Sequence, residues 1–96
     1  MGVLRERVQA LAADIKALAL THGAHDVQVF GSVSRGDDGP ASDVDLLVDF
    51  GPDASILDLV HLELDLRALL GCNVDVVARG GLKPRDRHLL DEAVAL

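Results

Sequence analysis

Two aspartates at a spacing of two residues follow a glycine and a hydroxyl in one short stretch of the chain. Ten residues separate Gly31-Ser32 from Asp43, and Asp45 follows after a single valine. On a strand, residues i and i+2 face the same side, about 6.6 Å apart at the backbone. Carboxylates held side by side repel each other, and a divalent cation relieves that repulsion. Hard oxygen ligands suit Mg²⁺ or Mn²⁺, so this spacing predicts a cation site.

The same stretch offers groups that bind phosphate. Gly31 lets the backbone approach an anion without a side chain in the way, and Ser32 adds a hydroxyl. A helical turn that begins at Ser32 would direct free N–H groups at the anion. Arg35 can bind phosphate oxygens in a fork, and Gly36 permits the turn that aims it. Together with the carboxylates, these residues predict a site for a nucleoside triphosphate and its divalent metals.

The periodicity of apolar residues predicts the elements that position this stretch. Helices show apolar residues three and four positions apart, and strands are short β-branched runs bounded by Gly or Pro. The first part of the chain predicts a helix over residues 3–22 ended by Gly23, a strand over 27–30, a loop over 32–42 and a strand over 44–50. A helix capped by Ser55 and Asp58 is then expected to run to Leu70 before Gly71, followed by a strand over 74–78. A last helix is expected from Pro84 and would cover the sheet with Leu89, Leu90, Ala93 and Val94.

The lengths of the connections predict the strand directions. The eleven residues 32–42 are too few for a usual crossover, which favours an antiparallel first pair. A full helix joins the second and third strands, which predicts a parallel βαβ unit. The expected fold is therefore α/β (α+β), a small mixed sheet of about three strands covered by helices. Asp75 then meets Asp43 and Asp45 at one edge, and three carboxylates suffice for two ions about 4 Å apart.

Composition restricts the classes of function. The 96 residues are expected to form a single domain, 1–96, with nine Lys and Arg against sixteen Asp and Glu and a net charge of −7. Such a balance disfavours direct binding to nucleic acid. Cys72 is the lone cysteine and is expected to be a buried filler, which rules out a disulfide framework. With no export signal and no membrane-spanning run of about 18 residues, we expect a cytoplasmic protein.

The helix before Gly71 carries more apolar side chains than one sheet face requires. Leu57 and Leu64 fall outside the stripe formed by the other leucines. Wider burial in the core and a partner interface both explain this surplus, and both a homo-oligomer and a hetero-oligomer are compatible with it. His22, His25 and His61 lack a ligand set at matching spacing; His22 and His25 are expected to belong to a solvated helix end, and His61 to be structural or solvated.

The run GSVSRGDDGPASDVDLLVDF resembles the G-S-x10-D-x-D signature of the DNA polymerase β-like nucleotidyltransferase superfamily. It is similar to the minimal nucleotidyltransferases, the MNT domain proteins of prokaryotes, whose third carboxylate matches Asp75 in VDVV and whose C-terminal helix matches LLDEAVAL. The resemblance implies that Asp43 and Asp45 hold two Mg²⁺ ions, with Mn²⁺ as an alternative. It also implies that Asp75 completes the shell of the catalytic ion and helps to deprotonate the acceptor. The triphosphate of ATP would be held by Gly31, Ser32 and Arg35, and Lys83 is a further candidate contact.

The resemblance also implies a reaction and a partner. A hydroxyl would attack the α-phosphate of ATP, which makes the chain a metal-dependent protein adenylyltransferase. The acceptor would be a tyrosine of a HEPN-type RNase toxin, with this chain as the antitoxin of a type VII-like toxin–antitoxin pair. Two alternatives stay open: an antitoxin that neutralises its toxin by binding alone, and a nucleotidyltransferase subunit that acts on a small molecule.

Overall fold

A mixed β-sheet with helices packed on one face organises the chain. The computed structural model describes residues 3–31, 43–81, 84–86 and 88–96. The helices are α1 (Val3–Ala10), α2 (Ala12–Thr21), α3 (Ile56–Leu70) and α4 (His88–Glu92); the strands are β1 (Ala24–Phe30), β2 (Val44–Phe50), β3 (Val74–Ala78) and β4 (Val94–Ala95); and short 3₁₀ turns cover Arg79–Gly81 and Pro84–Asp86. None of the helices in these ranges is long and apolar enough to cross a membrane.

The order of the strands in the sheet is β3-β2-β1-β4. β1 pairs with β2 in the antiparallel sense, with Phe30 opposite Asp45. β2 pairs with β3 in the parallel sense, with Asp45 opposite Asp75. The mixed sheet and both strand directions are therefore confirmed. The lengths of the connections predicted them because a short link favours antiparallel neighbours, whereas a helical crossover brings two strands in parallel.

The C-terminal segment differs from the prediction of one helix beginning at Pro84. The segment Pro84–Asp86 is a 3₁₀ turn, and α4 has five residues. Val94 pairs with Val29 as part of β4 and is 49% exposed, so it does not cover the sheet. A helix of this length gains little from its own hydrogen bonds, whereas the open edge of β1 offers backbone partners and suits a β-branched residue. The sheet thus has four strands rather than about three.

The predicted helix over residues 3–22 is divided at Leu11. The backbone of Leu11 has φ −102° and ψ 13°, yet its N–H still donates to the carbonyl of Arg7 at 3.0 Å. Val8 and Ile15, on either side of the bend, are both buried. Gly23 ends α2 as predicted, at φ +80°, and its N–H donates to the carbonyl of Leu20.

The bounds of α3 agree with the predicted caps. The N–H of Ser55 donates to the carboxylate of Asp58 at 2.8 Å, which is half of a capping box. At the other end, Gly71 adopts φ +70° and its N–H donates to the carbonyl of Arg67 at 2.8 Å. Both ends are thus satisfied by groups that the sequence places there.

The core lies between the helices and one face of the sheet. The buried side chains of α3 pack against alternate residues of the central strands, as expected for helices that cover one face of a sheet. The cluster comprises Leu4, Val8, Ile15, Ala19, Ala24, Val27, Val29, Val44, Leu46, Val48, Leu62, Leu66, Leu70, Val74 and Val76.

A second apolar surface lies on the solvent side of α3. Leu57, Val60 and Leu64 recur at helical spacing and are 62%, 42% and 54% exposed. We refer to these three residues as the outer face of α3. Because they do not enter the core, wider core burial does not explain the surplus of apolar residues in this helix.

Candidate active site

The parallel pairing of β2 and β3 places two carboxylates next to each other. Asp45 lies opposite Asp75, and strand neighbours are about 4.8 Å apart. The valines that precede these aspartates, Val44 and Val74, are fully buried in the core, whereas Asp45 is half-buried and Asp75 is exposed. Because side chains alternate along a strand, both carboxylates lie on the sheet face opposite the helices.

Asp43 lies directly before β2 and is exposed. The edge of the sheet is fixed here, since the N–H of Val44 donates to the carbonyl of Asn73 at 3.0 Å. The three predicted carboxylates therefore lie at one edge of the sheet, with Asp45 and Asp75 on the same face.

Gly31 approaches the carboxylate of Asp45 from the neighbouring strand. Its φ is +73°, in the left-handed region that favours glycine, and a Cβ at this position would overlap Oδ2 of Asp45. The end of β1 is brought there by the pairing of Phe30 with Asp45. Two reasons thus favour glycine at this position. Its backbone adopts a positive φ, and a side chain would occupy the space of the Asp45 carboxylate.

The phosphate-binding part of the predicted site is only partly covered by the described residues. Gly31 lies against Asp45, as the topology predicted. Ser32, Arg35, Gly36 and the predicted loop over 32–42 lie outside the described residues, as does Lys83. Their role in phosphate binding stays a prediction.

The predicted convergence of three carboxylates into a metal-binding group is not seen among the described residues. Within the described ranges, no group of three or more Asp, Glu, His or Cys side chains is arranged to hold a metal ion. Mg²⁺ commonly takes one or two carboxylates and completes its shell with water and phosphate oxygens. The adjacent Asp45 and Asp75 are two such carboxylates, and the nucleotide would have to supply further ligands.

Two polar side chains on this face were not singled out from the sequence. Arg79 donates from Nη2 to Oε1 of Gln28 at 2.6 Å. Gln28 lies opposite Leu47, two residues along β2 from Asp45, and therefore on the carboxylate face. The signal in the sequence was weak, because an arginine just after a strand has many ordinary roles.

Cys72 lies beside this edge without the features of a reactive thiol. The residue is half-buried and packs against the core, in line with its expected role as a filler. Burial raises the pKa of the Cys72 thiol; the nearby Arg7 acts against this rise in pKa and Asp43 adds to it. The thiol therefore stays protonated at neutral pH.

The histidines do not contribute to this edge of the sheet. His22 is bonded to Asp65, with 2.6 Å between Nε2 and Oδ2, and this contact joins the end of α2 to α3. The rings of His22 and His61 are 6.3 Å apart. His22 is thus a helix-to-helix contact rather than part of a solvated helix end, while His25 and His61 are exposed.

A groove of about 240 Å³ lies elsewhere, between α1 and β4. It is lined by Val8 and Val29, which belong to the core side of the sheet, together with Arg5, Gln9, Ala12, Val94, Ala95 and Leu96. Because the carboxylates occupy the opposite face, this groove is separate from the candidate active site.

Comparisons with known proteins show what this chain is similar to. The family model described as a nucleotidyltransferase domain matches residues 10–95. Protein adenylyltransferase MntA of Thermococcus cleftensis is 43% identical over 83 residues, which cover 86% of this chain and 84% of that relative.

Solved structures share the fold. A structure assigned as a minimal nucleotidyltransferase superposes with a TM-score of 0.87 at 44% identity, over 96% of this chain and 95% of that one. A toxin–antitoxin crystallised with AMP-PNP superposes with a TM-score of 0.76 at 20% identity, over 86% of this chain and 69% of that one. At that lower identity the likeness is one of fold.

Proposed function

Because the chain belongs to the nucleotidyltransferase domain family, we propose that it transfers AMP from ATP to a hydroxyl group of a partner protein. The observation that carries this proposal is the in-register pairing of Asp45 with Asp75, with Gly31 packed against Asp45. An identity of 43% to a protein adenylyltransferase supports a protein as the acceptor. A chain of net charge −7 also suits a protein better than a nucleic acid.

The reaction exchanges one bond at the α-phosphorus. The hydroxyl oxygen bonds to the α-phosphorus while the bond from that phosphorus to the bridging oxygen breaks, and pyrophosphate leaves with the electron pair. The hydroxyl proton passes to a carboxylate, for which the exposed Asp75 is the candidate. Asp43 and Asp45 would hold two Mg²⁺ ions, or Mn²⁺ in their place. When bound, the ions stabilise the negative charge that develops on the reacting phosphates.

The remaining residues would hold the nucleotide. The backbone at Gly31 meets the carboxylate edge, so a phosphate bound there would lie beside Asp45. Ser32 and Arg35 join the proposal from the resemblance, as a hydroxyl donor and a fork for phosphate oxygens. Fixed orientation of the reacting groups is expected to supply much of the rate enhancement.

We infer that the partner is a HEPN-type RNase toxin, modified on a tyrosine. A toxin as partner is supported by the fold shared with the toxin–antitoxin MntA-HpeT, solved as a mutant complex, which superposes with a TM-score of 0.75 at 17% identity. The HEPN type and the tyrosine come from the family resemblance. The outer face of α3 adds a physical reason, because an exposed apolar stripe is typical of a protein interface.

Substitutions at the carboxylates test the proposal. With ATP, Mg²⁺ and the partner toxin, we expect Asp45→Asn and Asp75→Asn each to lower the rate of pyrophosphate release at least about 100-fold, since each removes a charge from the site. Asp49→Asn is the matched control, because Asp49 lies on the same strand and face but four residues from Asp45. It should stay near wild type.

Two results would count against catalysis. Equal rates of pyrophosphate release for wild type, Asp45→Asn and Asp75→Asn would contradict the assigned roles. If Asp43→Ala/Asp45→Ala still blocked the RNase as well as wild type does, neutralisation would occur by binding alone.

A further inference from the structure

Arg79 reaches across the sheet on the face that carries the carboxylates. It follows β3, and its guanidinium donates to the Gln28 side chain of β1 at 2.6 Å. Since β2 lies between β3 and β1, the arginine side chain spans the central strand. Gln28 is paired with Leu47, so the contact lies on the same face as Asp45.

The hydrogen-bond partner of Arg79 lies nearer to the carboxylates along the sheet than Arg79 itself does. The last parallel pair is Val48 with Ala78, which puts Arg79 level with Asp49. Gln28, however, is level with Leu47, two residues nearer to Asp45. Two residues along a strand correspond to about 6.6 Å. The partner that Arg79 reaches thus belongs to a strand position nearer to the active edge than that of Arg79 itself.

Arg79 is also a half-buried cation with a neutral partner. Its recorded contact is the carboxamide of Gln28, and no carboxylate of the described ranges pairs with it. A guanidinium has five N–H donors in a planar fork, so the bond to Gln28 leaves donors for a second ligand. Forked pairing with phosphate oxygens is the contact that this geometry favours.

The net charge of the site with ATP and two divalent ions bound would be negative. Three carboxylates and a triphosphate together carry more negative charge than two divalent ions neutralise. A fixed positive group near the edge would therefore strengthen nucleotide binding, all the more where water is partly excluded.

We propose that Arg79 is a nucleotide-binding residue, whose guanidinium is held by Gln28 and pairs with a phosphate of the ATP bound beside Asp45 and Asp75. This inference rests on the proposed function, since it concerns the same site. A purely structural role, tying β1 to the end of β3, predicts different behaviour and can be separated by substitution.

The variant Arg79→Gln removes the charge while keeping a side chain that can hydrogen-bond to Gln28. In calorimetric titrations of the whole chain with AMP-PNP and Mg²⁺, without the partner, we expect it to bind about tenfold more weakly than wild type. The difference should shrink at high salt, because the contact is electrostatic. Arg5→Gln, a matched change on the exposed surface of α1, should bind like wild type.

A second variant keeps the test decisive. Arg79→Lys retains the charge but not the planar fork, so its affinity should fall between those of wild type and Arg79→Gln. Thermal unfolding is measured for every variant. If Arg79→Gln binds as tightly as wild type, or if Arg79→Lys loses as much affinity as Arg79→Gln, the inference is overturned and the contact with Gln28 is structural. Failure of wild type itself to bind AMP-PNP would instead overturn the proposed function, and this inference with it.

Discussion

Gly31 combines a left-handed backbone conformation with a close contact to the Asp45 carboxylate. Alanine there would be strained by the φ of +73°, and its Cβ would overlap Oδ2 of Asp45. We expect Gly31→Ala to displace the Asp45 carboxylate and to lower the rate of AMP transfer at least about tenfold. Pyrophosphate release measured with the partner toxin would check this, alongside the free energy of unfolding from urea titration.

Gly71 provides the matched control for backbone strain. It has a similar φ of +70°, yet a Cβ there would meet nothing within 4 Å. Gly71→Ala should therefore cost about 1 kcal/mol in the free energy of unfolding and leave the rate of AMP transfer unchanged. Equal losses of activity in the two variants would show that strain alone, and not contact with Asp45, explains the effect at Gly31.

Some residues of the site could be predicted from the sequence and others could not. Asp43, Asp45 and Gly31 stand out because their spacing within a strand and a turn restricts where they can point. Gln28 and Arg79 are 51 positions apart, and their contact depends on the side-by-side register of three strands. Residue types alone do not fix that register, so the pair was missed.

Among the helices, α3 has two apolar surfaces with different surroundings. One packs into the core, and its outer face, formed by Leu57, Val60 and Leu64, is exposed. We expect Leu57→Asp/Leu64→Asp to weaken binding of the partner toxin at least about tenfold, since charges in an apolar interface lose their hydration. Calorimetric titration of the toxin with each variant would measure this.

Leu20 supplies the control for a charge placed on an exposed leucine. It is 66% exposed on α2, a different helix, and lines a groove against β1 rather than the outer face of α3. Leu20→Asp should leave binding of the toxin unchanged. An unchanged affinity in Leu57→Asp/Leu64→Asp as well would remove the outer face of α3 from the interface.

The helices and strands were predicted correctly where short sequence patterns agree with the tertiary contacts of the segment. Both ends of α3 and the bounds of β2 and β3 followed from caps, glycines and β-branched runs. The C-terminal helix was wrong in extent because Val94 pairs with the edge of β1, a long-range contact that overrides helical periodicity. The bend at Leu11 likewise has no signal such as Pro or Gly in the sequence.

In the whole molecule, the sheet lies between the helices with their apolar core and the residues of the candidate active site. The helices and the apolar core occupy one face, while the carboxylates, Gly31 and Arg79 occupy the other. Substitutions of the polar residues on the carboxylate face are therefore expected to change activity more than stability. The outer face of α3 points away from that site, so a partner that binds both must extend around the edge of the sheet.

The most direct measurement of the central claim is the intact mass of the partner toxin after incubation with this protein, ATP and Mg²⁺. We predict that the toxin gains one adenylyl group with wild type and none with Asp43→Ala/Asp45→Ala. Only the toxin that has gained the adenylyl group should lose its RNase activity. A toxin that is silenced by wild type at unchanged mass would contradict AMP transfer.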